Sequence, residues 1–522
     1  MSQTSGPQVT LINHQGLKVL EGIQLQSPSP SIGLAYIGAY LKKHGVDYQA
    51  IDACGLAMDH IRPYRQSKNI FIQGLSTDEI VARVVPGARI IGLTCLFSHC
   101  WPLVLEIAGA LRVRFPEALL VVGGEHATAD AERSLNEGPF DVVVNGEGEE
   151  TFLELARLHL AGEDWCGIRG IAYLKTNGTC QLNEPRKRIT AIDDFPWPDW
   201  DSWCIEAYIA NQQVTGIHLG RSIPFLGSRG CPYDCKFCSN DGMWTRRYLV
   251  RSAKGIVDEM EHLKAKYRLD GFTFMDLTFI VNRAKTKEFA QELIARNLGI
   301  NYQLPAGTRC EAFDDELAQL LEQSGLKNFA FAPESGDETI LKAIRKQISL
   351  PKFFEAVRIV LKTRMTVGSF FVIGVPEETP ATLRNTLGTI RKLAWLGIHD
   401  VTVSQFTPYP GSDYFRMLEK QGKVCTDATS LEQIINFYSS RANSYCPAVS
   451  NTSLHRWMLW MYLNFYVISF TMRPWRLLMN LADFAFKGVE NTRYMRLFGE
   501  LFVRRGKWQR RSDGPGSTTP VP

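Results

Sequence analysis

The 522-residue sequence is poor in several features that would assign it to a specialised class. Its formal net charge is only +4, which gives no broad basic surface and does not indicate a nucleic-acid-binding protein. Its 12 cysteines are scattered apart from one cluster, so the chain is not a disulfide-rich secreted scaffold. The N-terminus has no basic segment followed by an apolar one, and we therefore predict no signal peptide.

Long apolar runs are also missing. The longest charge-free apolar stretch lies between Arg456 and Arg473, and it is somewhat shorter than the roughly 20 residues that a membrane span needs. Hydrophobic residues make up 45% of the chain, which is typical of a globular protein and excludes a disordered one. We therefore predict a cytoplasmic protein of about two to four domains, in a compartment that keeps its thiols reduced.

One cysteine cluster stands apart from the other thiols, with the spacing CxxxCxxC. Cys231, Cys235 and Cys238 are close enough in sequence to reach one metal centre from a single loop. Iron–sulfur clusters are held by Cys thiolates, commonly four, so three thiols suggest a cluster with one iron left for a small molecule. Two alternatives are weaker. Structural zinc needs four ligands, and neither Cys204 nor His218 has a zinc-finger spacing, while a CxxC redox pair would not need Cys231.

Strands alternate with helices through the first third of the chain. The predicted strands are residues 9–13, 48–52, 90–95, 119–122 and 142–145, with helices at 32–44 and 102–114 and after residue 149. This alternation predicts a doubly wound parallel sheet, whose ligands lie beyond the carboxyl ends of the strands. No GxGxxG follows these strands, so a dinucleotide is not favoured. The alternative is a flavodoxin-like domain in which the glycine loops are only turns.

A second α/β region follows a connector. Residues 170–184 predict a hairpin around Asn177-Gly178, and the Pro-rich stretch at 193–200 marks a domain boundary. Six βα units then begin at Phe225, which predicts an open partial barrel with its chemistry at the strand ends. From about residue 430 the pattern is lost, and an aromatic-rich stretch predicts several short helices packed over the barrel mouth as a helical cap.

The cysteine motif, with Phe237 just before its last Cys, resembles the signature of the radical SAM superfamily. The resemblance implies a 4Fe–4S cluster on Cys231, Cys235 and Cys238, whose open iron binds S-adenosylmethionine (SAM). Segments after the later strands match the family in order and spacing. By this resemblance, the residues expected to contact SAM are Phe237, Asp276, Arg309, Glu334, Ser335, Gly374, Val375 and Gln405.

The first third resembles the cobalamin-binding domain that precedes many radical SAM cores. The resemblance assigns the corrin to the loops that contain Thr94, Leu96, Gly123, Gly124, His126, Gly146 and Glu147. The DxHxxG motif that supplies a cobalt-binding His elsewhere is not matched, since the first strand is followed by Asn13-His14-Gln15-Gly16. The lower cobalt ligand is therefore expected to be absent, or water. His14 and His99 are interpreted as ordinary polar loop residues.

The two resemblances together describe the predicted fold class. It is α/β: a Rossmann-like cobalamin-binding domain at 1–160, a hairpin and Pro-rich linker at 161–215, and a partial (β/α)6 TIM-barrel radical SAM core at 216–425. An α-helical C-terminal region at 426–511 and a disordered tail at 512–522 complete it. The helical region is expected to supply core, a hydrophobic substrate pocket or a surface for peripheral membrane contact. The basic residues at 504–511 would suit an anionic surface.

The function implied by the resemblance is a cobalamin-dependent radical SAM methyltransferase. Its cofactors would be the 4Fe–4S cluster, SAM and cobalamin, and SAM cleavage would yield a 5′-deoxyadenosyl radical. Methylcobalamin would then methylate an unactivated carbon of a small-molecule biosynthetic intermediate. The alternatives are an oxidative cyclase or ring-rearranging enzyme, and a non-catalytic cobalamin-binding sensor. The expected partners are a small-molecule substrate and an electron donor such as flavodoxin or ferredoxin, without nucleic acid. Tyr409 and Asp276 are the candidates for proton transfer.

Overall fold

A computed structural model describes residues 6–19, 28–65, 67, 70–213, 215–424 and 443–482. Within these ranges the chain forms two successive α/β units and a C-terminal pair of helices. The strands are β1 Val9–Asn13, β2 Gly16–Val19, β3 Tyr48–Asp52, β4 Ile61–Pro63, β5 Ile70–Gln73, β6 Ile90–Thr94, β7 Leu119–Gly123, β8 Val142–Val144, β9 Ile171–Leu174, β10 Cys180–Leu182, β11 Ser222–Phe225, β12 Ser228–Arg229, β13 Leu249–Val250, β14 Gly271–Phe274, β15 Asn301–Thr308, β16 Leu326–Glu334, β17 Thr366–Ile373 and β18 Asp400–Gln405.

The helices connect these strands in the order expected of βα units. They are α1 Ile32–Lys43, α2 Thr77–Arg83, α3 Trp101–Arg114, α4 Glu125–Ala129, α5 Ala131–Glu137, α6 Glu149–Ala161, α7 Ile205–Ala210, α8 Asn240–Trp244, α9 Ala253–Tyr267, α10 Arg283–Arg296, α11 Asp315–Gln323, α12 Glu338–Ala343, α13 Leu350–Val360, α14 Pro380–Leu396, α15 Asp413–Lys420, α16 Asn451–Met472 and α17 Pro474–Ala482. None of the helices in the described ranges has both the length and the hydropathy that a membrane span requires.

The first unit confirms the predicted doubly wound sheet. Its strand order is β10-β9-β8-β7-β6-β1-β3, with β3, β1, β6, β7 and β8 parallel. The central strands β1 and β8 have every residue buried, because helices cover both faces of such a sheet. The carboxyl ends of the parallel strands β1, β6, β7 and β8 therefore meet along one edge, at Asn13, Thr94, Gly123 and Val144.

Two features of this unit differ from the sequence expectations. The hairpin β9–β10 is not a free linker, because β9 pairs antiparallel with β8 and extends the first sheet. A small antiparallel sheet, β2-β5-β4, was not predicted at all. Its strands are three or four residues long, so they carry too few alternating positions to give a pattern.

The second unit confirms the partial barrel. Six parallel strands lie in the order β11-β14-β15-β16-β17-β18, so the barrel stays open between β11 and β18. Aromatic rings fill its core in tilted and edge-to-face pairs; Phe274 contacts Phe225 and Tyr302 at centroid distances of 5.0 and 5.5 Å. The strand ends form the mouth at which the candidate site lies.

The C-terminal helices confirm a helical region but not its predicted form. One helix of 22 residues, α16, replaces the several short helices expected over the mouth. It packs along α14 and along β18 at the open side of the barrel. Leu454 lies against Gly374 at the mouth, whereas the Tyr466 hydroxyl donates to Asp400 at the opposite end of β18. The predicted disordered tail and the basic residues at 504–511 lie outside the described residues.

Candidate active site

The cysteine loop is held in place by backbone bonds from three sides. It begins at Gly230, whose φ of +85° and close approach to the Arg247 carbonyl leave no room for a side chain. Within the loop, the Cys238 amide donates to the Cys235 carbonyl at 3.1 Å. The Lys236 amide donates to Ile344, and the Lys236 carbonyl accepts from Tyr414, both at 3.1 Å. The loop is thus attached to the ends of α12 and α15.

The three thiols lie near one another; Cys231 and Cys235 are partly buried, and Cys238 is exposed as a residue although its thiol group is desolvated. Burial raises the pKa of Cys231, Cys235 and Cys238, that of Cys238 to about 12, and the nearby thiols raise it further for the last two. Lys346 and Arg309 act in the opposite direction on the pKa of Cys231 and Cys235. The thiols are therefore protonated until a metal displaces the protons.

The three thiols of this loop are the candidate ligands of the predicted cluster. No group of three His, Cys, Asp or Glu side chains in the described part of the chain is arranged to hold one metal ion. In an iron–sulfur cluster each thiolate binds a different iron, so the sulfurs lie farther apart than the ligands of a single ion. Three free thiols in one loop, beside two cations that offset thiolate charge, fit the predicted 4Fe–4S cluster.

Asp276, at the end of β14, braces the segment that leads into the loop. Its carboxylate accepts from the Gly227 amide at 3.1 Å and from the Ser228 hydroxyl. Burial raises the pKa of Asp276 to about 6. Both carboxylate oxygens are occupied by the protein, so Asp276 is placed to position the loop.

Arg309, at the end of β15, holds the opposite side of the loop. Its guanidinium lies over the ring of Tyr233 at 3.9 Å from the centroid. It also donates to the carbonyls of Lys346 and Gln347 at 2.7 and 2.8 Å. The Lys346 ammonium in turn bonds Glu334 at 2.9 Å, and this pair is buried. Arg309 and Glu334 are therefore linked through Lys346, a residue that the sequence did not single out.

The remaining predicted SAM residues lie at the ends of the later strands. Glu334 has φ +68°, an uncommon conformation for a residue with a side chain, and Ser335 bonds Thr386 at 3.2 Å. Gly374 has φ +89°, and its amide donates to Glu378 at 2.7 Å. Val375 and Gln405 are buried at the ends of their strands. Phe237 is partly buried and packs on the barrel core.

Tyr409 packs against the core of the first unit, and burial raises its pKa to about 12. Its hydroxyl is therefore protonated near neutral pH and can donate a hydrogen bond.

The carboxyl edge of the first sheet carries small or exposed residues, as predicted. Gly124 has φ +105°, and a Cβ there would lie 2.5 Å from the Cys95 carbonyl oxygen. Thr94 ends β6 next to Gly123, and Leu96 exposes 49% of its surface beyond them. His126 differs from these residues because it is buried, lies 3.0 Å from the Ser98 hydroxyl and packs on Trp101. Burial lowers the pKa of His126 to about 3, so its ring is neutral.

A cavity of about 490 Å³ opens beside this edge. Its lining includes Gly146, with φ +80°, and Thr128. Asn145 also lines it, and the buried amide oxygen and nitrogen of Asn145 have no hydrogen-bond partner among the described residues. Buried polar groups are normally paired, so this amide has hydrogen-bonding capacity left for a water or a ligand group. Of the residues predicted at the corrin, Gly146 and Glu147 line this cavity, which fits a large ligand such as cobalamin. Sequence reasoning missed Asn145 because the pattern makes it the last residue of a predicted strand.

The two units meet at the cysteine loop through buried charges. Arg229, two residues before Cys231, bonds Glu147 at 3.1 Å and Glu149 at 2.6 Å. Its guanidinium also lies 4.4 Å from the centroid of the Phe195 ring. Arg188 adds a second bond to Glu147 at 2.8 Å. Glu147 was predicted at the corrin, but its carboxylate joins the first unit to the loop. The sequence contains no spacing rule that pairs residues 82 positions apart.

Comparison with known families settles what these two units are. A family model described as the radical SAM superfamily matches residues 226–390, and one described as a B12 binding domain matches residues 22–156. The chain carries a radical SAM domain and a B12-binding domain and is homologous to cobalamin-dependent radical SAM methyltransferases. The predicted cofactors of this family, the 4Fe–4S cluster, SAM and cobalamin, are thereby confirmed. Radical SAM enzymes need a reductant and act on small-molecule substrates.

Individual relatives agree with this assignment. An uncharacterized methyltransferase of Pyrococcus horikoshii is 28% identical over 387 residues, 73% of this chain and 77% of the relative. The anaerobic magnesium-protoporphyrin IX monomethyl ester cyclase of Cereibacter sphaeroides is 28% identical over 77% of this chain and 62% of the cyclase. The structure of TsrM, a radical SAM methyltransferase from Kitasatospora setae, shares the fold with a TM-score of 0.63 and 16% identity, covering 88% of this chain and 89% of TsrM.

Proposed function

We propose that this radical SAM enzyme methylates an unactivated carbon of a small-molecule biosynthetic intermediate. The observation that carries the proposal is the direct joint between the cysteine loop and the edge of the first sheet. Arg229 precedes Cys231 by two residues and bonds Glu147 and Glu149, which follow β8. A group held at the loop and a ligand held at the sheet edge would therefore face one substrate.

The roles of the chain's residues follow from their positions. Cys231, Cys235 and Cys238 would hold the cluster, and the glycine loops with Asn145 would hold cobalamin. The cofactors, when bound, supply a radical that removes hydrogen from carbon and a methyl group that can be transferred. Lys346 would balance the negative charge of the thiolates beside it. The buried strand ends at Val375 and Gln405 would exclude water from the mouth.

SAM would lie along the ends of the later strands. Glu334 and Ser335, after β16, and Gly374, after β17, are within one end of the barrel. The positive φ of Gly374 turns the backbone sharply at that edge, and Leu454 fills the space that a side chain would need there. Asp276 and Arg309 would act indirectly, by keeping the cysteine loop in register with this edge.

A cyclase or rearranging enzyme is the second candidate, because the similarity to the Cereibacter sphaeroides cyclase has the same percentage identity as that to the methyltransferase. For either function we propose a flavodoxin or ferredoxin as electron donor. We also keep the prediction of a cytoplasmic location, because a cluster with an exposed iron requires a reducing compartment.

Anaerobic reconstitution tests the proposal. The protein is loaded with iron, sulfide and cobalamin, reduced, and incubated with SAM that carries a labelled methyl group. A methyltransferase is expected to form both 5′-deoxyadenosine and S-adenosylhomocysteine, and to label its cobalamin. A cyclase is expected to form 5′-deoxyadenosine alone. The proposal fails if the cobalamin binds but never acquires the label.

A further inference from the structure

The outer face of α16 is apolar, although its inner face already packs on the protein. Leu459, Leu463 and Val467 follow one another at four-residue spacing, and Leu463 and Val467 expose 53% and 55% of their surface. Trp460 adds a half-exposed indole beside this stripe. The opposite stripe, from Leu454 to Phe465, is buried. A helix that is apolar on both sides normally has both sides covered.

The next helix, α17, extends the same surface. It is nine residues long, and none of its residues is buried within the described part of the chain. Trp475, Leu478 and Met479 each expose more than half of their surface. Isolated helices this short are marginal in water, so an apolar one gains stability from a surface that covers it.

The charges of this face have one sign. Helices α14, α16 and α17 contain no Asp or Glu, but they contain the cations Arg384, Arg391, Lys392, Arg456 and Arg476. The α14 side adjoins α16, because Arg391 bonds Asn464 at 2.9 Å, and it exposes Trp395. Apolar side chains and tryptophans on helices whose charged residues are all cations match the chemistry of an anionic lipid surface.

We propose that the face formed by α14, α16 and α17 docks on an anionic membrane without crossing it. A second copy of the chain is a poorer occupant, because a two-fold interface would set these cations against one another with no carboxylate to pair them. The face begins beside the barrel mouth, where Leu454 contacts Gly374. Docking would therefore hold the mouth of the barrel next to the lipid surface.

Vesicle co-sedimentation of the full chain tests this proposal. Vesicles of phosphatidylcholine alone are compared with vesicles of equal parts phosphatidylcholine and phosphatidylglycerol. We expect binding to the second kind, weakened by salt because surface charge attraction is screened. The pair Leu463→Glu and Val467→Glu is expected to weaken binding at least about tenfold, since the exposed side chains no longer enter the lipid. Arg384→Gln and Arg456→Gln should each cost about fivefold.

The matched control is Val113→Glu, on the first unit, where the valine exposes 86% of its surface. It adds one negative charge, as each of the two substitutions on α16 does, to an exposed apolar position and should leave vesicle binding unchanged. The absence of binding to anionic vesicles would overturn the proposal, as would equal binding to both kinds. A dimer that the double substitution dissociates, without vesicle binding, would assign the face to a second copy. Circular dichroism verifies that each variant is folded.

Discussion

The mouths of the two α/β units are built in opposite ways. At the barrel mouth, the polar side chains Asp276, Arg309, Glu334 and Glu378 each bond a neighbouring segment. At the edge of the first sheet, a cavity of about 490 Å³ opens beside Gly146 and Asn145, and the Asn145 amide has no hydrogen-bond partner among the described residues. The polar side chains of the barrel mouth are already hydrogen-bonded before a small cofactor binds. The sheet edge instead leaves space, and hydrogen-bonding groups without partners, for a large ligand.

The largest effect on either mouth is expected when a thiol is removed from the cysteine loop. Cys235→Ala is expected to abolish the brown cluster absorbance and SAM cleavage, because two thiolates cannot hold the cluster. Iron content per chain and 5′-deoxyadenosine formation measure it. Cys166→Ala, at a partly exposed thiol far from the loop in sequence, is the control and should retain both. Unchanged iron content in Cys235→Ala would refute the assignment of the loop.

The second largest effect is expected when the buried ion pairs between the two units are broken. Arg229→Met leaves Glu147 and Glu149 as buried carboxylates with one cation fewer, so we expect a loss of about 3 kcal/mol in unfolding free energy. Chemical denaturation of the apoprotein measures it. Lys254→Met removes an exposed pair with Asp258 and should change stability little. Equal losses of unfolding free energy in the two variants would mean that the buried ion pairs stabilise the protein no more than the exposed pair does.

A braced carboxyl group at the barrel mouth should also respond to pH. Burial raises the pKa of Glu378 to about 7, so the folded state binds a proton that the unfolded state loses nearer its ordinary pKa of 4.5. The stabilising effect is fully present below pH 4.5 and is lost as the pH rises towards 7. In Glu378→Gln this decline, on the order of 3 kcal/mol, should disappear from a plot of unfolding free energy against pH. A variant curve parallel to that of the wild type would contradict the prediction.

The smallest effect is expected at the sheet edge. Asn145→Ala should weaken cobalamin binding about tenfold, because the ligand loses a hydrogen-bonding amide. The apoprotein should lose no stability, since that amide has no partner among the described residues. Titration with cobalamin and thermal unfolding separate the two effects. Asn177→Ala, in the exposed hairpin turn, is the control for affinity. Loss of apoprotein stability in Asn145→Ala would make the residue structural.

The sequence predicted the strands of both units because buried parallel strands are apolar throughout and turns follow them at regular intervals. It also located Cys231, Cys235 and Cys238, whose spacing is local. It did not predict the roles of Lys346, Arg229 or Asn145, because each depends on contacts with distant segments. Glu147 shows the limit clearly: its glycine-flanked position was predicted, but its bonds to Arg188 and Arg229 depend on how two units pack.

The packing of α16 on the barrel has a consequence for solubility. A barrel with a gap leaves β18 as an edge, and free amides and carbonyls on an edge strand invite pairing with other chains. The Tyr462 hydroxyl accepts from the Val403 amide at 2.9 Å and donates to its carbonyl at 3.1 Å. One phenol thus occupies both groups that an incoming strand would need, and α16 blocks the approach. A chain truncated before α16 would expose the edge of β18 and should aggregate by strand pairing along it.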